Sequence, residues 1–369
     1  MTSAIPPRAP LIYDPSFEVP EEDEVKTTRE LMETMHKISA AVNEEEGHAF
    51  RSVHAKGHGI LRAELRVFDD LPEVLAQGTF AQPRRYPAVI RFSTPPGDLL
   101  DDKVSTPRGI AVKVVGVEGE RTPGSEGHVT QDFLMVNGPA FNSPGAKKFA
   151  KNAKLLAAIT DKAEGAKKLL SATLRGIESL VEKAGGKSAT LTAMGGHPLT
   201  NLLGETFFSQ VPVLYGPYMA KLSIAPVSTE LLALKDKLLD MDNGPDAIRA
   251  AVIDHFALLG GVWEVRVQLC VDLETMPIED ASVEWPQDLS PYIPVAMLSA
   301  EPQQAWSPAR VEAVNDGMSF SPWHSLASHR PIGSIMRVRK AVYDMAARFR
   351  SDHNAIPVRE PLSLDELPD

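Results

Sequence analysis

The chain has a single cysteine, Cys270, among 369 residues. It can form no intramolecular disulfide and no CxxC-type metal site, which fits a reducing compartment and points to the cytoplasm. No segment reaches the roughly 18 to 20 consecutive apolar residues that a membrane helix requires. Residues 1–20 hold scattered prolines and no basic region leading into an apolar stretch, so no secretory leader is expected. Basic blocks are also missing: the net charge of −11 is spread over both halves, leaving a phosphate backbone no electrostatic footprint to bind. Neither nucleic acid nor membrane is an expected partner.

Several catalytic signatures are absent too. There is no GxSxG nucleophile elbow and no HExxH, so serine-hydrolase and zinc-protease chemistry have no support. Gly185-Gly186-Lys187-Ser188 resembles the end of a phosphate-binding loop, but the required earlier glycine falls on Val181. His54 and His58 are spaced like zinc ligands on a helix, yet Gly57 and Gly59 flank the second one and no third ligand is near in sequence.

What remains is the composition of a globular protein, with 43% apolar and 24% charged residues. Residues 1–23 read as an extended arm. From Glu24 to about Val42 the spacing of Val25, Leu31, Met32, Met35, Ile38 and Val42 predicts an amphipathic helix. Short β-rich runs follow at Ile60–Val67, Ala88–Phe92 and Gly109–Val114. Residues 146–184 have helical periodicity, and strands resume at Phe207–Tyr215, Met219–Ile224 and Val262–Val271. Leucine-rich helical stretches are expected over Thr229–Met241 and Asp246–Leu259, and a last long helix over Ile332–Arg350. Strands and helices are segregated rather than alternating. The expectation is an α+β fold built on a closed antiparallel β-barrel of about eight strands with flanking helices. A single domain over residues 24–352 and a tail over 353–369 complete the reading.

Two distant segments carry chemistry. Arg51-Ser52-Val53-His54-Ala55-Lys56-Gly57 resembles the distal segment of haem catalases, and Arg339-Lys340-Ala341-Val342-Tyr343 resembles their proximal helix. Between them Ile90-Arg91-Phe92-Ser93-Thr94, Pro107-Arg108-Gly109-Ile110-Ala111-Val112-Lys113, Trp285-Pro286 through Tyr292-Ile293-Pro294-Val295, and Phe320-Ser321-Pro322 resemble further catalase landmarks in the same order. The resemblance spans roughly residues 30–350. It implies a haem b cofactor with Tyr343 as the iron's ligand and His54 above the opposite haem face. By the same resemblance Ser93 orients His54, Val53 and Arg339 contact the cofactor, and Arg51, Arg91 and Arg350 meet the propionates.

The residue types suit that chemistry. A phenol that binds iron must lose its proton, and a guanidinium one helical turn earlier on the same face, Arg339, favours the anion. An anionic axial ligand helps stabilise oxidised iron. Peroxide cleavage needs a group that takes a proton from one oxygen and returns it to the other, a task for a histidine such as His54. Buried propionates need cations, which the three arginines provide.

The resemblance is incomplete. Catalases place an asparagine near the peroxide, and in the matching stretch, His128 to Pro139, none falls at the expected place. Thr130 or Gln131 is expected to stand in, which argues against efficient dismutation. The C-terminal helical region of ordinary catalases is expected to be missing. The function expected is a haem peroxidase using hydrogen peroxide or organic hydroperoxides and a small organic reductant, with weak catalase activity, in a homodimer or other homo-oligomer. A fatty-acid hydroperoxide-converting enzyme of the allene oxide synthase kind and a non-enzymatic haem-binding protein are the alternatives.

Overall fold

The structure, a computed structural model, describes residues 7–104, 106–160, 198–365 and 367–368. Its centre is an antiparallel sheet of β1 (Lys56–Val67), β2 (Arg85–Thr94), β3 (Gly109–Val115), β4 (Thr130–Val136), β5 (Phe207–Phe208), β6 (Val213–Tyr215), β7 (Tyr218–Pro226), β8 (Gly261–Leu269) and β9 (Ile293–Ala300). The order is β5-β4-β3-β2-β1-β9-β8-β7-β6, and β5 also pairs with β7. Eight strands therefore close into a ring, as expected, while β6 forms a short hairpin with β7. Closure leaves no long sheet edge exposed.

Alternation decides what faces where. Ile90, Phe92, Ile110, Val112, Val114, Phe133, Met135, Leu222, Ile224, Val265 and Val267 point inwards and form the main core with Phe80, Tyr215 and Trp263. Burying each such side chain contributes about 1.5–3 kcal/mol. The intervening residues of β2 to β4 point outwards, so Arg91 and Ser93 share a face with Gly109 and Ala111, and this outer face is where chemistry can be built.

Three helices pack outside the barrel: α1 (Glu24–Glu46), α2 (Ala146–Thr160) and the long C-terminal helix Ser334–Asn354. Leu31, Met35, Ile38 and Val42 of α1 meet Ala146, Ala150 and Ala153 of α2 and Val338 and Val342 of the C-terminal helix. With the shorter α3 (Ala247–Leu258), the C-terminal helix becomes α4. Gly47 ends α1 in the left-handed conformation, φ 67°, donating its N–H to Asn43. Residues 48–55 then run from α1 to the barrel.

Two expectations fail locally. The helix expected over Thr229–Met241 is only Thr229–Leu232, because the chain turns left-handed at Asp236, φ 58°, and Leu238 bridges to Thr200. The run Phe207–Tyr215 is two strands, broken where Gln210 takes φ 62°. The expected helix beyond residue 160, and the Gly185-Gly186-Lys187-Ser188 turn, lie outside the described residues. The C-terminal tail is docked: Arg62 donates to the carbonyls of Leu364 and Leu367, and both leucines pack against Ile60, Val89 and Ala111. Among the described residues no helix is long and apolar enough to cross a membrane.

Candidate active site

His54 lies at the entrance to β1 in a left-handed conformation, φ 55°, a strained state for a non-glycine residue that the surroundings must hold in place. Asn354, at the end of α4, grips the preceding segment by exchanging hydrogen bonds with the N–H and carbonyl of Ala49, both at 2.9 Å. The ring Nδ1 of His54 is 3.2 Å from Ser93 Oγ. Behind it is Gly109, where a Cβ would fall 2.6 Å from both Cε1 and Nδ1 of His54. Burial first, then the charges of Arg91 and Arg339, push the imidazole down to about 3. It is therefore neutral at pH 7.

The sheet register identifies the residues beside it. Ser93 pairs with Gly109, Gly109 with Val136 and Val136 with Phe208. Directly paired residues share a face about 5 Å apart, so the row continuing from the His54 support is apolar. The adjacent asparagine, Asn137, turns away, its Oδ1 accepting the Arg108 N–H at 2.8 Å.

Opposite, α4 buries Val338 and Val342 against α1, which leaves Arg339 and Tyr343 on another face. Arg339 Nη2 donates to the Tyr343 phenol at 2.7 Å, and the guanidinium lies 5.2 Å from the ring centroid. Arg339 lies within electrostatic reach of His54, and Tyr343 within that of Arg51. Residues 51–54 and 339–343, nearly 300 residues apart in sequence, are thus brought within electrostatic reach of each other.

Three arginines cluster beside His54 and Tyr343. Arg51 donates to the carbonyls of Val314, Asn315 and Met318, and Arg91 to those of His54 and Ala55. Arg350 donates to Met318 and Ala346, and its buried Nε has no partner. No carboxylate forms an ion pair with any of them among the described residues. Asp316 is within electrostatic reach of Arg51 and Arg350, but its Oδ1 meets His48 at 3.0 Å and Asn354 at 3.3 Å. Burial and mutual repulsion lower Arg51 well below its ordinary value, and burial followed by the charge of Arg350 takes Arg91 to about 9; burial alone takes Arg350 to about 10. Clustered cations with no direct ion pair, two of them (Arg91 and Arg350) buried, call for an anionic ligand. A planar cofactor with two carboxylates, lying beside the Tyr343 phenol, fits this donor set. Val53 is half-buried and packs with the helical layer.

Thr130 is not brought to His54. It pairs with Val115, roughly 20 Å along β4 from Val136 at about 3.3 Å per residue, and donates to Glu360 at 2.7 Å. Gln131 points the other way and accepts the Leu326 N–H. The residue on the His54 row is Val136, which only the strand register could reveal. Thr130 instead borders a buried charge cluster. Asp132, His324 and Glu360 offer metal-type donors, but the Lys113 ammonium bonds Asp132 at 2.7 and 2.9 Å and also meets Glu360, so a cation is already built in.

No family model and no curated protein matches the chain. Solved structures do. A fungal catalase superposes with a TM-score of 0.59 at 16% identity, covering 86% of this chain and 63% of its own. A bacterial catalase gives 0.60 at 18% identity, covering 87% and 62%. Catalase A from Saccharomyces cerevisiae gives 0.58 at 18% identity, covering 87% and 65%. The chain spans under two-thirds of the length of these three proteins. The agreement extends through the barrel and its flanking helices, and the chain has the catalase fold.

Proposed function

We propose that this chain is a haem-dependent peroxidase that reduces organic hydroperoxides or hydrogen peroxide at the expense of a small organic reductant and releases little oxygen. The observation that carries this reading is the His54 imidazole held against Ser93 and Gly109, with apolar Val136 paired to Gly109 on the same sheet face. A neutral base supports peroxide cleavage, and an apolar neighbour offers no hydrogen bond to position a second peroxide for dismutation. Val136 and Phe208 favour the carbon-bearing end of an organic hydroperoxide instead.

Tyr343 would hold the iron of haem b, with Arg339 donating a hydrogen bond to its phenol oxygen, and Arg51, Arg91 and Arg350 would hold the propionates. Haem, when bound, supplies the iron that accepts the oxidising equivalents of the peroxide and passes them to the reductant. His54 manages the protons. With its Nδ1–H donating to Ser93 Oγ, Nε2 carries the lone pair, takes the proton of the hydroperoxide and returns it to the departing oxygen as the O–O bond breaks. The balance is ROOH plus two electrons and two protons giving ROH and water, the electrons coming from the reductant. Ser93 and Gly109 keep Nε2 aimed, a contribution of orientation rather than of charge.

The test is a paired assay on haem-loaded protein, with oxygen release and oxidation of an aromatic reductant followed for hydrogen peroxide and for cumene hydroperoxide. Reductant oxidation with little oxygen supports the reading, and brisk oxygen release overturns it in favour of a catalase. A fatty-acid hydroperoxide converted with loss of water and without consumption of reductant would point to the allene oxide synthase reading.

A further inference from the structure

Asn315 lies in the π-helical turn Glu312–Asp316, a rare backbone form that clusters at functional sites. Its side-chain oxygen accepts from Arg91 Nε at 2.8 Å and from Arg51 Nη1 at 3.3 Å, and its carbonyl accepts from the same Arg51 nitrogen at 2.8 Å. One residue therefore fixes the direction of two guanidiniums that come from the segment before β1 and from β2.

The chemical type at this position matters. The ordinary partner for two converging arginines, one of them buried, is a carboxylate, which would satisfy both by charge-assisted bonds. It would also cancel their charge. An amide oxygen gives the same aim with no formal charge, so the excess positive charge that Arg51, Arg91 and Arg350 accumulate stays available. That arrangement is unfavourable for the protein alone and favourable once an anion arrives.

We propose that Asn315 is a positioning residue that aims Arg51 and Arg91 at the carboxylates of a dianionic cofactor while leaving their charge unspent. This rests on the haem reading above, and it assigns Asn315 a role in selecting a porphyrin that carries free propionates. The neutral amide trades stability of the empty protein for affinity.

The experiment titrates the apoprotein with haemin and with haemin dimethyl ester, whose propionates are capped, and records the melting temperature of each apoprotein. Asn315→Asp is expected to melt a few degrees higher than wild type and to bind haemin at least tenfold more weakly, with ester affinity unchanged. Asn315→Ala is expected to lower the preference for haemin over its ester without raising the melting temperature, and it supplies the test should the aspartate variant fold poorly. Both variants keeping the wild-type preference would overturn the role of Asn315, as would an equal loss of haemin and ester affinity. Wild type failing to take up haemin would overturn this proposal together with the reading it rests on.

Discussion

Gly109 gives the His54 imidazole its place: a Cβ on residue 109 would sit 2.6 Å from two ring atoms and 3.3 Å from Ser93 Oγ. The ring is held from one side by a hydrogen bond and from another by the absence of a side chain. Gly109→Ala should therefore displace His54 while Tyr343 and the arginines are untouched. We expect normal haem uptake and a fall of about 100-fold or more in kcat/KM for peroxide, the scale of a lost acid–base catalyst. Stopped-flow kinetics on haem-loaded protein check it, and a variant within threefold of wild type would contradict it.

Val136 pairs with Gly109, so its apolar side chain shares the sheet face that supports His54. Val136→Asn should raise oxygen release from hydrogen peroxide by tenfold or more and lower kcat/KM for cumene hydroperoxide. The ratio of the two activities is the readout. An unchanged ratio would mean that Val136 does not border the peroxide.

His329 is buried in an aromatic cluster with Phe80, Phe133 and Tyr215, where its Nε2 accepts the Thr79 N–H at 2.9 Å and burial lowers it to about 4. The unfolded chain takes up this proton near pH 6.5 and the folded one only near pH 4, so stability falls as pH falls through that window. At pH 5 the loss amounts to about 2 kcal/mol. His54 and His58 are lowered as well and add to the same trend. Urea melts at pH 7 and pH 5 should show a smaller difference for His329→Gln than for wild type, by about 2 kcal/mol. Equal differences would refute the assignment.

The opposite sign applies to His324. Although burial opposes its charge, bonds to Asp132 and Glu360 raise it to about 9. Its contribution is complete below pH 6.5 and is lost as pH rises through about 9. Because Glu360 belongs to the tail docked on the barrel, the tail should loosen there. Hydrogen exchange over residues 355–365 should accelerate between pH 8 and 10 beyond the intrinsic rise, and less so in His324→Gln, whose tail is already loosened at neutral pH.

Much of this architecture was legible in the sequence, and the misses have identifiable causes. Short β-rich runs set off by Pro and Gly marked β1, β2, β3, β7 and β8, and the spacing of Leu31, Met35, Ile38 and Val42 marked α1, because burial on one face imposes that period. The four-residue step from Arg339 to Tyr343 likewise survives as a direct hydrogen bond. The residue beside His54 was missed, since Val136 is placed by strand pairing across a loop whose length hides the register. Asn315 carries no local signal at all, because its role comes from two arginines more than 200 residues away. The leucines of Thr229–Met241 suggested a helix that Asp236 interrupts. Glu360 fell in the expected tail over 353–369, and only its place beside Lys113 reveals that the tail is docked.

The measurement that bears most directly on the central claim is haemin titration of wild type, Tyr343→Phe and His54→Ala, followed by peroxide with an aromatic reductant. The account predicts stoichiometric uptake by wild type with a high-spin ferric, tyrosinate-type spectrum and reductant oxidation. It predicts loss of that spectrum in Tyr343→Phe, and in His54→Ala the same spectrum with turnover reduced at least 100-fold, within the range for a lost acid–base catalyst. Wild-type protein that takes up no haemin, or a His54→Ala variant that turns over peroxide as fast as wild type, would contradict it.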